Sequence, residues 1–391
     1  MKKILMICNT DGALYVFRKP IIERLIACKH EVVSISSESR YFEGLKELGV
    51  TPISLEFVRH SVSPFQNIRL IIELYRIIKQ QRSDIVHNFT HKPAIYGTIS
   101  AWLAGVKRIC VTITGLGTLF VHNDVQTKLL RWLLLIQYKF ALKFASVVFF
   151  QNPDDKEYFL SKNIVGADKA VLTNGSGIDL SDYYVPSVKE IKHFRTNLGN
   201  ELEVDLTDRI VVLFPARAVP EKGFFEFYRA AKIISELESD KFLFLHLGLV
   251  DSDSATGITK ETIEKYAIDS DVHWLGFKAN IKEYMLASDV VVLPSYREGT
   301  PRSLIEALAC GKVIITTDAP GCKETVINGW NGYLCKIGDT QSLIAKLMAV
   351  DVEFITKAKD RSRKYCEVKY NATWLTDLTF EKYFGNSKSE K

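Results

Sequence analysis

The chain has 391 residues, 47% of them apolar and 25% charged, with a formal net charge of +5 at pH 7. Its length outgrows a single core and predicts two domains of roughly 200 residues each, while no apolar run approaches the roughly 20 residues of a membrane-spanning helix. The charge is split: residues 1–150 carry 20 Lys and Arg against 10 Asp and Glu, a net of +10, which leaves residues 151–391 at −5.

The opening Met-Lys-Lys-Ile-Leu-Met-Ile-Cys imitates a signal peptide, but its apolar run is five residues long and stops at Asn9-Thr10-Asp11-Gly12. It predicts a first β-strand instead. Strand-like runs near 3–8, 31–36, 50–55, 84–88, 109–113, 147–151 and 170–173 follow one another along the first half. Helical patterns near 18–28, 41–48, 66–81, 94–104, 125–145 and 153–162 alternate with them. After a polar, charge-rich stretch at 186–208 the pattern restarts with a strand at 210–216 and a helix at 223–238. Strands near 242–248, 272–275, 289–293 and 313–317 come next. This repeated βαβα order predicts an α/β fold of two Rossmann-like parallel-sheet domains, with ligands at the carboxyl ends of the strands. The expected domains are 1–185 and 186–365, with a C-terminal helix 366–391 returning to the first. Trp374, Leu378 and Tyr383 are compatible with that return, and residues 386–391 read as frayed.

Seven cysteines (Cys8, Cys28, Cys110, Cys310, Cys322, Cys335 and Cys366) are dispersed, mostly in apolar runs, with no pair at metal-site spacing. They read as small core residues of a reducing cytoplasm. The basic first half calls for an anionic partner, either nucleic acid or an acidic membrane surface carrying a diphosphate lipid. No RNP, zinc-finger or basic-zipper pattern is present, so nucleic acid is not expected. In the stretch 125–145, Lys128, Arg131, Lys139 and Lys143 accompany Trp132, Tyr138 and several Leu. That is the make-up of an interfacial helix, or of a core helix with a basic outer stripe.

The most informative stretch is Leu293-Pro-Ser-Tyr-Arg-Glu-Gly-Thr-Pro-Arg-Ser-Leu-Ile-Glu-Ala-Leu-Ala-Cys-Gly311. A buried strand ends at Pro294-Ser295; Thr300 is the expected N-cap, Pro301 the first helical residue and Gly311 the residue that closes the helix. Such a helix start suits a phosphate. Glu298 stands beside it, and Glu306, five residues past Pro301, lies about 7.5 Å further along the axis. The pattern fits a nucleotide sugar: Gly299, Thr300 and Pro301 shape the turn at the phosphate, one Glu takes the ribose and one lies near the sugar. A solvated loop Glu and a surface-helix Glu share the same spacing.

Arg217 and Lys222 follow the strand at 210–216 and precede a helix, so they form an anion site or a pair of surface cations. In the first domain Gly12, in the loop after the first strand, lets backbone approach a donor phosphate, or an acceptor, closely. Residues 9–14 lack the Gly-x-Gly-x-x-Gly fingerprint. Arg18 is a candidate for an acceptor diphosphate, or a solvated first-turn arginine. His91 and Lys92, after the strand at 84–88, can hold an acceptor hydroxyl or diphosphate, whereas His87 within the strand reads as a core histidine. Asp251-Ser-Asp253 imitates an Asp-x-Asp metal pair but reads as a polar loop, so no metal is expected.

Glu298 and Glu306 together form a Glu-x7-Glu signature, and residues 293–334 as a whole resemble the retaining glycosyltransferases of family 4. Arg217-Ala-Val-Pro-Glu-Lys-Gly223, Gly175-Ser-Gly-Ile-Asp179, Pro320-Gly-Cys-Lys-Glu324 and Asn331-Gly332 are similar to that family as well. Tyr15-Val-Phe-Arg-Lys-Pro-Ile-Ile22, His91-Lys92-Pro93 and Thr114-Gly-Leu-Gly117 resemble a narrower branch. That branch elongates sugars on polyprenyl diphosphate carriers and includes bacterial N-acetylgalactosaminyltransferases. The likeness runs from about residue 3 to about residue 385.

The resemblance implies the GT-B fold, with two Rossmann-like domains facing across a cleft. It implies that Arg217 and Lys222 hold the donor diphosphate and stabilise the charge that develops as it leaves. Glu306 would take the ribose, Glu298 the transferred sugar as catalyst or positioner, and the backbone at Phe277-Lys278 the base. Many members carry a histidine where this chain has Thr114-Gly115, so no histidine is assigned at that point, and the Gly-Leu-Gly loop would instead pass close to a substrate. The expected activity is retaining, metal-independent and cofactor-free transfer of N-acetylgalactosamine, or a close hexosamine, from a UDP-sugar. The acceptor would be an undecaprenyl-diphosphate-linked saccharide, and the enzyme would be peripheral on the cytoplasmic face of the cell membrane. Two alternatives keep the fold. A UDP-N-acetylglucosamine 2-epimerase is opposed by the Glu-x7-Glu element, and a non-catalytic nucleotide-binding protein by the complete charged set.

Overall fold

In a computed structural model, which describes residues 1–57, 63–251 and 256–385, the apolar runs form two wholly parallel sheets. The first holds β1 (Lys3–Thr10), β2 (Glu31–Ser37), β3 (Thr51–Ser54), β4 (Ile85–Phe89), β5 (Arg108–Ile113), β6 (Val147–Phe150) and β7 (Ala170–Leu172). Their order across the sheet is β3-β2-β1-β4-β5-β6-β7. The second holds β8 (Ile210–Pro215), β9 (Phe242–Leu247), β10 (Val272–Gly276), β11 (Val290–Leu293), β12 (Val313–Thr317) and β13 (Gly332–Cys335), in the order β10-β9-β8-β11-β12-β13. Strands such as β8 and β11 are apolar throughout and buried throughout, as parallel strands covered on both faces must be. In each sheet the chain first winds outward one way and then continues on the other side. The order therefore switches between β1 and β4, and again between β8 and β11, and ligands of doubly wound sheets bind at the carboxyl ends beside such switches.

The chain divides into Met1–Gly177 with Ala372 onward, and Ile178–Asn371. The expected boundaries after 185 and 365 are thus displaced. Residues 178–185 belong with the second unit because Ile178 bridges Asn371 and Arg363 Nη1 donates to the Tyr183 carbonyl at 2.6 Å. The helix Val352–Lys369 stays in that unit, and the final helix Ala372–Phe384 packs in the first. There Phe384 stacks on His30 at 4.7 Å between ring centres.

Several elements differ from expectation. The helix expected from residue 18 begins at Asp11 and runs to Ala27 with Pro20 inside it, so Gly12 lies in a helical turn and not in a loop. The polar stretch at 186–208 contains the helix Val188–Leu202, opened by a reciprocal cap: Ser187 N donates to Glu190 Oε2 at 2.9 Å and Ser187 Oγ accepts from Glu190 N. The helix expected over 125–145 ends at Ala141. Helices Lys260–Asp269, Ile281–Ala287 and Thr340–Met348 and strand β13 are additional. All seven cysteines are unpaired, and only Cys28 is exposed. Among the described residues no helix is long and apolar enough to cross a membrane. Residues 386–391 lie outside the described residues.

Candidate functional site

At the second sheet's switch point the loops leaving β8 and β11 are pressed together. Gly223 sits at φ 80°, and a Cβ there would collide with the Pro294 carbonyl, so only glycine fits. That approach carries Lys222 to Glu298. Lys222 Nζ pairs with Glu298 Oε1, the side chains 24% and 12% exposed, and Ser295 Oγ donates to the same oxygen at 2.7 Å. Glu298 N donates to Pro320 O at 2.9 Å, and Gly321, at φ 84°, leaves room for the Glu298 carbonyl. The second cation, Arg217, pairs with Asp251 just beyond β9; its guanidinium is half-exposed while Asp251 is enclosed. Asp251 is therefore an anchor for Arg217. Asp253 lies outside the described residues, among which no group of three His, Cys, Asp or Glu is arranged to hold a metal.

The helix after β11 is Arg302–Ala309, one residue later than expected: Pro301 is its N-cap in extended conformation, and the Thr300 hydroxyl donates to Gly299 O at 2.8 Å instead of capping. At its end Gly311, at φ 70°, donates to Leu308 O and Lys312 N to Ala307 O, the paired bonds of a left-handed helix stop. Glu306 is buried on this helix and accepts from Tyr183 Oη and Arg302 Nε, each at 2.9 Å. Burial first, and the Glu306 carboxylate second, raise the Tyr183 phenol, which stays a donor. Phe277 is exposed after β10, whereas Lys278 Nζ is engaged with Glu201 Oε1 at 2.6 Å. Glu201 lies on the helix in the stretch read as polar. A groove of about 950 Å³ near Arg195 and Asp289 lies at the amino ends of β8 and β11, away from these residues.

The first sheet's switch point gathers aromatic rings, histidines and two cationic side chains, Arg18 and Lys92. Gly12 abuts Tyr41: a Cβ would stand 2.8 Å from that ring, so its glycine requirement comes from the protein itself. Arg18 is buried, not solvated, with its guanidinium 4.6 Å over the Phe89 ring. His87 is the core histidine expected, its ring nitrogens 2.6 Å from Tyr383 Oη and 2.7 Å from Thr112 Oγ1. His91 Nδ1 meets Tyr138 Oη at 2.6 Å, and its Nε2 faces Gly117, where a Cβ would stand 3.4 Å away. Thus His91 and the loop Thr114–Gly117, separate motifs in the sequence, share one locality. Burial pushes the His91 imidazole down to about 4 and lowers Lys92.

Helix Val125–Ala141 buries only Tyr138 and Ala141. Leu129, Trp132, Leu133, Ile136 and Phe140 face outward, Trp132 being 58% exposed, which removes the core-helix alternative. Arg131 departs from expectation: its Nε donates to Leu119 O at 2.8 Å and its guanidinium lies over Phe120, so it clamps a loop. Lys143 lies beyond the helix end. Sequence reasoning missed Tyr183, Ser295 and the anchoring role of Asp251, and it grouped Tyr138 with the interfacial residues although that ring is buried against His91. Only Ser295, inside the strand–loop–helix signature, had a local signal.

The family descriptions "Glycosyl transferase 4-like" and "Glycosyl transferases group 1" match residues 3–152 and 202–352. A relative from Campylobacter jejuni, the N,N'-diacetylbacillosaminyl-diphospho-undecaprenol alpha-1,3-N-acetylgalactosaminyltransferase, is 30% identical over 345 residues, 88% of each chain. The Escherichia coli UDP-Gal:alpha-D-GlcNAc-diphosphoundecaprenol alpha-1,3-galactosyltransferase is 27% identical, covering 74% of this chain and 72% of its own. Anabaena HepE, solved with UDP and glucose, superposes with a TM-score of 0.76 at 17% identity, over 97% of this chain and 99% of that one. Two parallel-sheet units, matched along both halves, make this chain a member of the family 4-like, group 1 glycosyltransferases with the GT-B fold.

Proposed function

We propose that this glycosyltransferase moves N-acetylgalactosamine, or a close hexosamine, from a UDP-sugar to a saccharide on undecaprenyl diphosphate, with retention at the anomeric carbon. The observation that carries the reading is the gathering of Lys222, Glu298 and Ser295 where the β8 and β11 loops touch, with Arg217 and Glu306 on the adjoining loop and helix. A leaving diphosphate is mainly an electrostatic problem, and fixed cations solve it without reorganisation. Lys222 and Arg217 take the diphosphate, exchanging part of their present carboxylate contact for phosphate oxygens. Glu306, held by Tyr183 and Arg302, takes the ribose hydroxyls, and Glu298 adjoins the transferred sugar. The departing phosphate receives the acceptor's proton on the face where the acceptor attacks. Both relatives are named as forming alpha-1,3 linkages on undecaprenyl diphosphate carriers, which supports the acceptor class and the retained configuration.

The first unit serves the acceptor, through His91, Lys92 and Arg18, and rests on the inner membrane face by the outward apolar side of Val125–Ala141 with Lys128 and Lys139. A residue pair above that helix extends the apolar surface: Trp102, 46% exposed, stacks on Phe144 at 4.0 Å. The test is incubation with a panel of UDP-sugars and lipid-diphosphate saccharides, reading product mass and UDP release. One added N-acetylhexosamine per UDP is the expected result; UDP without an acceptor-derived product would sink the reading.

A further inference from the structure

The backbone around His91 is more constrained than an ordinary loop. Thr90, a β-branched residue, is held at φ 68°, a left-handed conformation that costs such residues free energy and that collects at functional sites. A π-helical turn, Pro93–Gly97, follows at once, another rare form enriched at such sites. Within it Gly97 is required, because a Cβ would collide with Asn88 Oδ1. These devices hold His91 with Nδ1 2.6 Å from Tyr138 Oη.

The direction of that hydrogen bond follows from burial. Tyr138 is 1% exposed, and among the described residues its hydroxyl has no hydrogen-bond partner but His91. If Nδ1 carried the proton and donated, the phenolic hydrogen would be left buried without an acceptor. The phenol therefore donates to Nδ1, and the proton of the neutral ring sits on Nε2. Nε2 is the atom that faces the glycine loop at Gly117.

We propose that Tyr138 is a positioning residue that fixes His91 as an Nε2–H donor toward an oxygen of the lipid-linked acceptor. This rests on the reading of the first unit as the acceptor side. The ring stays neutral because its enclosure lowers its pKa. The charged groups around the pair are Lys92, itself desolvated, and Asp155, whose charge bears on Tyr138. Tyr138 and Ala141 are the inward residues of the helix whose other side carries Trp132, Leu133, Ile136 and Phe140. The helix that would lie on lipid is thus the one that orients the histidine, so the donor is in register with a substrate held at that surface.

Tyr138→Phe keeps the ring and its packing. Relative to wild type near about pH 8, kcat/KM for the acceptor should fall about ten-fold, the worth of one neutral hydrogen bond, with KM for the UDP-sugar unchanged. Activity should then recover only as the pH falls toward about 4, where the enclosed imidazole takes up its second proton, because an imidazolium carries a proton on Nε2 whatever happens at Nδ1, while the wild-type acceptor dependence stays flat. His91→Gln, whose amide can reach the Nε2 position, should retain more activity than His91→Ala. A Tyr138→Phe enzyme with the wild-type acceptor kcat/KM and pH profile overturns the proposal. Nitrogen NMR of ring-labelled histidine reads the tautomer without any turnover: a bare Nδ1 and a protonated Nε2 are expected, and a protonated Nδ1 overturns the proposal even if the variant loses activity. Should the wild type transfer no sugar to lipid-linked acceptors, the functional reading falls while the spectrum still decides the role of Tyr138.

Discussion

At the switch between β8 and β11, cations meet carboxylates in pairs, Lys222 with Glu298 and Arg217 with Asp251. At the switch between β1 and β4, the same kind of sheet presents a neutral histidine tied to a phenol, a buried arginine over a ring and a glycine against a tyrosine. Two sheets of like topology thus place different chemistry at equivalent edges: cations paired with carboxylates at one, cations among rings and histidines at the other. On the proposed reading, the difference reflects what each substrate asks of the protein. A departing diphosphate needs charge already in place, and here each cation is held by a local acid, Lys222 by Glu298 and Arg217 by Asp251. On that same reading, an acceptor carrying a diphosphate meets a neutral, oriented His91 beside the cations Arg18 and Lys92.

The largest effects should come from the charged edge. Lys222→Ala and Arg217→Ala should each lower turnover by roughly 100-fold or more while circular dichroism and the unfolding transition change little. The same wild-type turnover should survive excess EDTA, because Arg217 and Lys222 supply the positive charge. A variant with wild-type turnover would erase the contrast between the two edges, and manganese-restored activity after chelation would make Asp251 a ligand instead of an anchor.

The strand–loop–helix of 293–311 was legible in the sequence because its signals are local: a buried apolar run, a proline, and a glycine that must adopt positive φ. The register of its helix start was off by one because Thr300, a good cap by type, finds a nearer carbonyl at Gly299. The helix Val188–Leu202 was hidden by its polarity, although Ser187 and Glu190 carry the spacing of a reciprocal cap. The partners that define the two edges were not legible. Tyr183 reaches Glu306 across 123 residues, and Tyr138 reaches His91 across 47; such pairs are set by how strands are ordered, which local pattern does not encode. Arg131 was misjudged for the same reason, since its carbonyl partners sit in a loop.

Membrane attachment should be a property of the first unit alone. Each Lys or Arg near an anionic surface contributes about 1 kcal/mol, screened over roughly 8 Å at physiological salt. Reversing the charge of Lys128, Lys139 and Lys143 should therefore weaken sedimentation with anionic liposomes by about ten-fold or more and leave UDP affinity unchanged. Arg131→Glu should instead destabilise the loop it clamps. Equal binding to neutral and anionic liposomes would show that charge plays no part.

A smaller effect distinguishes the edges by acid. His91 and His246 are pushed down to about 4 by burial, and His87 is driven well below its ordinary value. The unfolded chain binds these protons near about pH 6.5 and the folded chain does not. Stability that is full above that pH should decline as pH falls toward about 5, by up to about 1.4 kcal/mol per pH unit for each histidine, before ordinary carboxylates titrate. Two of the three belong to the first unit, so its transition should shift first in urea. An unchanged midpoint over that window would mean that the rings are not neutral in the fold.

The division of labour itself is tested most directly by a side-by-side kinetic split. Glu306→Ala and His91→Ala are assayed with the UDP-sugar and the lipid-linked acceptor each varied in turn. The account predicts that Glu306→Ala raises KM for the UDP-sugar with little change for the acceptor, and that His91→Ala lowers kcat/KM for the acceptor with little change in KM for the UDP-sugar. If His91→Ala impairs the UDP-sugar instead, or Glu306→Ala the acceptor, the assignment of one substrate to each edge is contradicted.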